Sequence, residues 1–289
     1  MNSASPTAPR VLVAGCGFTG LAAARRFYAL GWSVTGLTHS AESAQRMTSE
    51  PFAVAACDIN DRAAVRALAP FDVVVDCVSS GRGGPDAYRS VFLEGARNLL
   101  ETLHPARFIF TSSTSVYAQT GGVTVTEESL ATPLRETGQI LRATEDLVLA
   151  NGGIVARLAG IYGPGRWVLF EKFIDGRAVI EDGGDRIVNQ IHRDDAASAL
   201  VFLAAAPGIA PGIYNVADEL PVSQREAYAI LAEHSGLPLP PEGQADLARK
   251  RGVTSKRVSN AKLRALGWTP EYPSLRAALT DPGVRTERD

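Results

Sequence analysis

The chain lacks a basic excess. Lysine and arginine number 29 against 31 aspartates and glutamates in 289 residues, a net charge of −2, whereas a surface that binds nucleic acid or another polyanion needs clustered positive charge. The arginines are dispersed, apart from Arg249, Lys250 and Arg251, which read as a solvated helix end or loop. A long apolar run is missing too: no stretch approaches the ~20 residues that a membrane helix requires. The N-terminal MNSASPTAPR has no apolar signal-peptide core. Residues 1–9 are therefore expected to be a disordered leader on a cytoplasmic protein with neither a membrane nor a nucleic-acid partner. Cysteine is scarce. Cys16, Cys57 and Cys77 are an odd number without metal-ligand spacing, each in or beside an apolar strand or turn, and they read as reduced core thiols. His39, His104 and His234 show no spacing to acidic or cysteine partners, so no metal is expected. Short repeats and low-complexity linkers are also lacking.

What is present begins at Arg10. RVLVAGCGFTGLAAARR sets a short apolar strand against a Gly15-x-Gly17-x-x-Gly20 turn that opens into an alanine-rich helix. In such a turn the first glycine permits the tight bend, the second lets the backbone approach a pyrophosphate, and the third lets helix and strand pack closely. The phosphates would rest on the helix N-terminus, where N–H groups and the macrodipole favour negative charge. Gly15, Gly17, Phe18, Thr19 and Gly20 are thus candidate cofactor residues.

Strand and helix patterns then alternate. Strands are expected at Ser33–Leu37, Phe52–Cys57, Asp72–Val78 and Arg107–Thr111, with helices at Ala41–Met47, Asp61–Leu68 and Tyr88–His104. Short all-apolar strands between amphipathic helices indicate an α/β fold, a doubly wound parallel Rossmann sheet covered on both faces. Ile154–Leu158 reads as a sixth strand, and the glycine-rich stretch from Gly160 to Asp185 loses the regularity. Helices resume at Asp194–Ala206 and Ser223–Ser235, around a strand near Gly212–Val216. The expected division is a dinucleotide-binding domain at 10–160, with 186–216 returning to it. A smaller, partly interleaved C-terminal substrate lobe would comprise 161–185 and 217–289.

The order of motifs resembles a family. GCGFTG at 15–20, Asp58-Ile59, FTSSTSVYA at 110–118, RLAGIYGPGR at 157–166, IHRDDAA at 191–197, YNVAD at 214–218 and LGWTPEYPSLRAAL at 266–279 together resemble the extended short-chain dehydrogenases/reductases, the NAD-dependent epimerase/dehydratase group. The GxGxxG form of the turn, where the family more often has GxxGxxG, points to an atypical branch. The resemblance implies that Asp58 and Ile59 hold the adenine, with the alternative that Asp58 caps the next helix. It implies that Cys77, Val78 and Ser79 line the cofactor, and that Ser113 is the catalytic serine, with the alternative that it caps a turn. At the end of the second strand, where a carboxylate would accept the ribose hydroxyls, the chain has Thr38, His39 and Ser40. Donors without a carboxylate tolerate a 2′-phosphate, so NADP is expected over NAD.

The departure lies on the helix after Ser113. The family carries Tyr and Lys at i and i+4; here Thr137 and Leu141 take those places, and Phe92 takes the place of a proton-relay asparagine. A threonine hydroxyl is far more basic than a phenol, and leucine donates nothing. Tyr117 is the candidate substitute acid, with a packing role as the alternative, and Tyr88, Tyr162 and His192 are further candidates. Three readings follow, of which a structural subunit with a vestigial cofactor site is disfavoured by the intact glycine turn. One is an NAD(P)-dependent oxidoreductase or epimerase acting on a small polar or nucleotide-linked substrate. Another is a cofactor-binding sensor or scaffold without turnover. The chain is expected to be a monomer or homodimer; the resemblance implies pairing through the helices at 88–104 and 136–150, with the alternative that their apolar residues Val91, Leu99, Leu103, Ile140 and Leu147 face the core.

Overall fold

The computed structural model describes residues 8–68, 70–81, 83–245 and 254–281. Most of the expected leader, and Arg249, Lys250 and Arg251, lie outside them. The chain divides into two compact units. One comprises Met1–Ser112, Arg135–Ala156 and Ala197–Ile213; the other comprises Ser113–Leu134, Arg157–Ala196 and Tyr214–Asp289. In this division 113–134, 157–160, 186–196 and 214–216 fall in the second unit, and the stretch returning to the first is 197–213.

The central sheet has seven strands: β1 (Arg10–Ala14), β2 (Ser33–Thr38), β3 (Ala53–Ala56), β4 (Val73–Asp76), β5 (Arg107–Ser113), β6 (Ile154–Leu158) and β7 (Gly212–Val216), in the order β7-β6-β5-β4-β1-β2-β3. β1 pairs in parallel with β2 and β4, as β2 does with β3 and β4 with β5. The order reverses between β1 and β4, and ligands of open α/β sheets bind at such a switch point, beyond the carboxyl ends of the strands. Val11 to Ala14 and Val73 to Asp76 are buried throughout, as strands covered on both faces must be.

Helix α1 (Phe18–Ala29) buries Gly20, Ala23, Ala24 and Phe27, a stripe at three- and four-residue spacing, and is followed by the short helices α2 (Ala41–Gln45) and α3 (Arg62–Arg66). A near-continuous helical stretch runs from Pro85 to Leu103. Its middle, Arg89–Glu94, is a π-helical turn, and α4 (Gly95–Leu103) follows. Helix α5 (Glu136–Ala150) buries Ile140, Leu141 and Val148 together with Glu145. The buried Glu145 carboxylate is held by the Ser112 hydroxyl at 2.5 Å and by Arg142 at 2.6 Å, which fastens α5 to the end of β5. Leu99, Leu103 and Ile140, on the helices considered for dimer pairing, are buried within the single chain.

The second unit is built of two-stranded ladders. Val123–Val125 pairs with Lys256–Val258, Gly160–Tyr162 with Gln190–His192, and Ile187–Val188 with Val222–Ser223. Its core is aromatic, with Tyr162, Trp167, Phe170, Phe173 and Tyr228 buried among aliphatic side chains. Helix Gln224–Ser235 starts on a Ser223 cap that accepts the Glu226 N–H, and Asp195 accepts the backbone N–H groups of Glu271 and Tyr272 at 2.6 and 2.9 Å.

Candidate dinucleotide site

The three turn glycines meet three different surroundings. Gly15 has φ +81°, and a Cβ there would lie 2.6 Å from the backbone of Cys77 and Val78. A Cβ on Gly20 would lie 2.3 Å from the Gly15 carbonyl oxygen. Around Gly17 nothing lies within 4 Å of the added atom, and the residue is exposed. Two glycines thus serve close packing, and the middle one leaves open space at the start of α1. Gly17 is the N-cap of that helix; no side chain caps it, and its first turn holds no acidic residue. A helix N-terminus left in this state attracts an anion. Phe18 and Thr19, in the first turn, are half-buried.

The neighbouring strand ends complete the wall. Cys77 and Val78 are half-buried and Ser79 is exposed. Cys16 is buried, and burial pushes its thiol up to about 11, so it stays protonated. At the end of β2 the Thr38 hydroxyl donates to the Ser40 carbonyl, and Ser40 caps the next helix by accepting the Ser43 N–H. His39 is exposed. Arg46 is engaged with Glu42 and Ser43. Ile59 is buried against Gly95, and its carbonyl accepts the Asn98 amide. Asp58 is exposed and accepts the Asn60 N–H at 2.9 Å; the helix Arg62–Arg66 is capped by Asp61, not by Asp58.

Ser113 ends β5, half-buried, and its Oγ accepts the Ser115 N–H at 3.2 Å. That contact uses a lone pair and leaves the hydroxyl proton available to a ligand. Tyr117 is 0% exposed. Its hydroxyl bonds with the Thr126 carbonyl and Asn215 Oδ1, both at 2.9 Å, and the Arg157 guanidinium lies 4.7 Å over its ring. Burial pushes this phenol up. Tyr162, stacked on Trp167 at 4.4 Å, is likewise buried and its hydroxyl raised by burial. His192 is buried, which lowers its basicity. Its Nδ1 accepts the Asp194 N–H at 3.3 Å. His192, Asp194 and Asp281 bring ligand-type atoms within 4.8 Å of one another, and Arg193 grips Asp194 with two nitrogens.

A family model described as the NAD dependent epimerase/dehydratase family matches residues 11–217. The chain belongs to that family. "Protein YeeZ" of Escherichia coli K12 is 30% identical over 282 residues, covering 91% of this chain and 96% of that protein. A solved structure from Silicibacter pomeroyi, described as a functionally unknown conserved protein, is 26% identical with a TM-score of 0.73, covering 94% of this chain and 96% of that one. The fold is shared with a Thermus thermophilus UDP-glucose 4-epimerase solved in complex with NAD, at TM-score 0.78, 21% identity, and 93% and 97% coverage. Among the described residues, no helix is long and apolar enough to cross a membrane.

Thr137 and Leu141 sit one turn apart on α5, the first half-buried and the second buried. Phe92 lies in the π-helical turn, buried, with its ring 5.0 Å from Tyr88 and 6.2 Å from Phe110. Phe92 thus belongs to an aromatic cluster. Sequence reasoning passed over Asp76, which ends β4 fully buried. The signal was an acid inside the apolar run VVVDCV.

Proposed function

We propose that the chain binds a nicotinamide dinucleotide on the Gly15–Gly20 turn, NADP in preference to NAD, and works as an oxidoreductase or epimerase on a small polar or nucleotide-linked substrate. The observation that carries this reading is the contrast between the open Gly17 and the packed Gly15 and Gly20, at an uncapped helix N-terminus beside the sheet's switch point. Family membership supports the nicotinamide cofactor. The cofactor, when bound, supplies the hydride. Gly17, Phe18 and Thr19 hold its pyrophosphate, and Thr38, His39 and Ser40 meet the adenosine ribose without a repelling carboxylate. Asp58 and Ile59 flank the adenine, and Cys77, Val78 and Ser79 line the path toward the nicotinamide. Ser113 donates to the reacting carbonyl or hydroxyl oxygen. No Tyr-x-x-x-Lys pair takes part in this proposal, so orientation carries most of the rate.

A second reading, a sensor or scaffold that binds the dinucleotide without turning it over, is favoured by the buried Leu141, the Phe92 cluster and the committed Tyr117 hydroxyl. The test is to titrate the purified protein with NADPH and NADH and then assay turnover across a carbonyl panel. Micromolar binding with turnover supports the enzyme. Binding without turnover leaves the sensor, and no binding of either dinucleotide refutes both.

A further inference from the structure

Asp76 stands at the point where the strand order reverses. Its side chain is 0% exposed. Oδ1 accepts the Val78 N–H at 3.3 Å, Oδ2 has no hydrogen-bond partner, and the Thr111 hydroxyl donates to the residue's backbone carbonyl rather than to its carboxyl. The two residues that follow, Cys77 and Val78, supply the backbone that presses on Gly15. Asp76 is thus next in the chain to the backbone that forms the wall of the cradle.

A buried carboxylate with a bare oxygen and no counter-ion is costly, and protonation removes the charge. The influences acting on Asp76 are burial, which raises it to about 7, and the single Val78 N–H, which opposes the rise. The titratable groups nearest in the wall are the thiols of Cys77 and Cys16, both pushed up by burial and uncharged at neutral pH; Thr111, on β5, does not titrate. Among the described residues, no cationic side chain acts on an ionised Asp76. A pyrophosphate settling over Gly17 brings further negative charge to the same poorly solvated wall, and like charges there disfavour each other.

We propose that Asp76 is a proton-linked cofactor residue: the dinucleotide binds the protein whose Asp76 carboxyl carries a proton, so that above neutral pH binding takes one proton up from solvent. This rests on the dinucleotide reading given above. The balance is simple, since the carboxylate gains the proton and no other bond changes.

Calorimetric titration of the full chain with NADH tests it, at pH 6 to 8.5 in two buffers of different ionisation enthalpy. With a free-state value of about 7, the expected affinity is ~30-fold weaker at pH 8.5 than at pH 6, and close to one proton is taken up per NADH at pH 8. Asp76→Asn is neutral at every pH and keeps an acceptor for Val78; it should bind equally well across the range with no uptake. Wild-type binding without proton uptake, or the same pH dependence in Asp76→Asn, overturns the inference and leaves the cradle standing. If the Asn variant does not fold, the wild-type proton count decides alone. Absence of binding by NADH and NADPH at every pH overturns the cradle reading itself, and the inference with it.

Discussion

Replacing Gly17 by alanine separates the cradle's affinity from its packing. At Gly17 φ is −101°, outside the left-handed region, and the added methyl meets nothing within 4 Å. The variant should therefore unfold within about 1 kcal/mol of wild type, because a compatible Gly→Ala exchange mainly reduces the freedom of the unfolded chain. The methyl nevertheless projects into the space assigned to the pyrophosphate. Losing one or two charge-assisted hydrogen bonds, at roughly 1.5–3 kcal/mol each, weakens NADH binding by about tenfold to several-hundred-fold or more. Gly15→Ala should behave in the opposite way. Its φ of +81° imposes a left-handed cost of about 1–2 kcal/mol. Its Cβ would press on the Cys77 and Val78 backbone at 2.6 Å, and overpacking of that kind costs about 1–3 kcal/mol more. The comparison needs urea unfolding followed by intrinsic fluorescence and an NADH titration on each folded variant. A Gly17→Ala protein that binds NADH as tightly as wild type, or that loses as much stability as Gly15→Ala, refutes the assignment of roles within the turn.

Three further outcomes are expected. Tyr117→Phe strips a buried hydroxyl from Thr126 and Asn215 and should lower unfolding free energy by about 1–3 kcal/mol; a hundredfold fall in turnover at unchanged stability restores the tyrosine as an acid. His39→Asp places a carboxylate at the end of β2 and should shift the ratio of NADH to NADPH affinity at least ~10-fold toward NADH. An unchanged ratio in paired titrations removes that strand end from the cofactor's ribose. Asp218 is buried, with Asp195 and Glu219 adding to the effect, and is raised from 3.8 to about 8. The folded chain therefore holds a proton that the unfolded chain releases near 3.8, and this group's contribution to stability falls as pH rises to about 8. Asp218→Asn should gain more than about 1 kcal/mol over wild type between pH 5 and 8 and no more beyond; urea midpoints across that range check it.

Much of the first unit was legible because its rules are local. Stretches such as Val73–Val75 are continuously apolar, and the glycine spacing specifies a backbone path that few other residues can follow. Helix Glu136–Ala150 and strand Gly212–Val216 occupy the residues expected of them. The π-helical turn at Arg89–Glu94 was hidden, because one extra residue in a turn leaves the apolar pattern of a long helix almost intact. The transfer of 113–134 to the second unit was hidden for another reason. The strand Val123–Val125 finds its partner at Lys256–Val258, more than 130 residues later, and nothing local records such a pairing. Asp76 was overlooked because its meaning depends on burial and on one empty oxygen, neither of which is written in residue order.

The interleaving of the two units sets a timetable for synthesis. The chain passes from one unit to the other after Ser112, Leu134, Ala156, Ala196 and Ile213. While a ribosome is still making residues short of Val216, the sheet lacks β7, its final edge strand, although the glycine turn that opens it was finished some 200 residues earlier. The nascent chain then exposes the flank of β6, an unpaired strand edge of the sort that seeks other chains. Truncation before β7 should thus yield aggregates rather than a small dinucleotide-binding fragment, and the gene cannot be divided between two separately folding products.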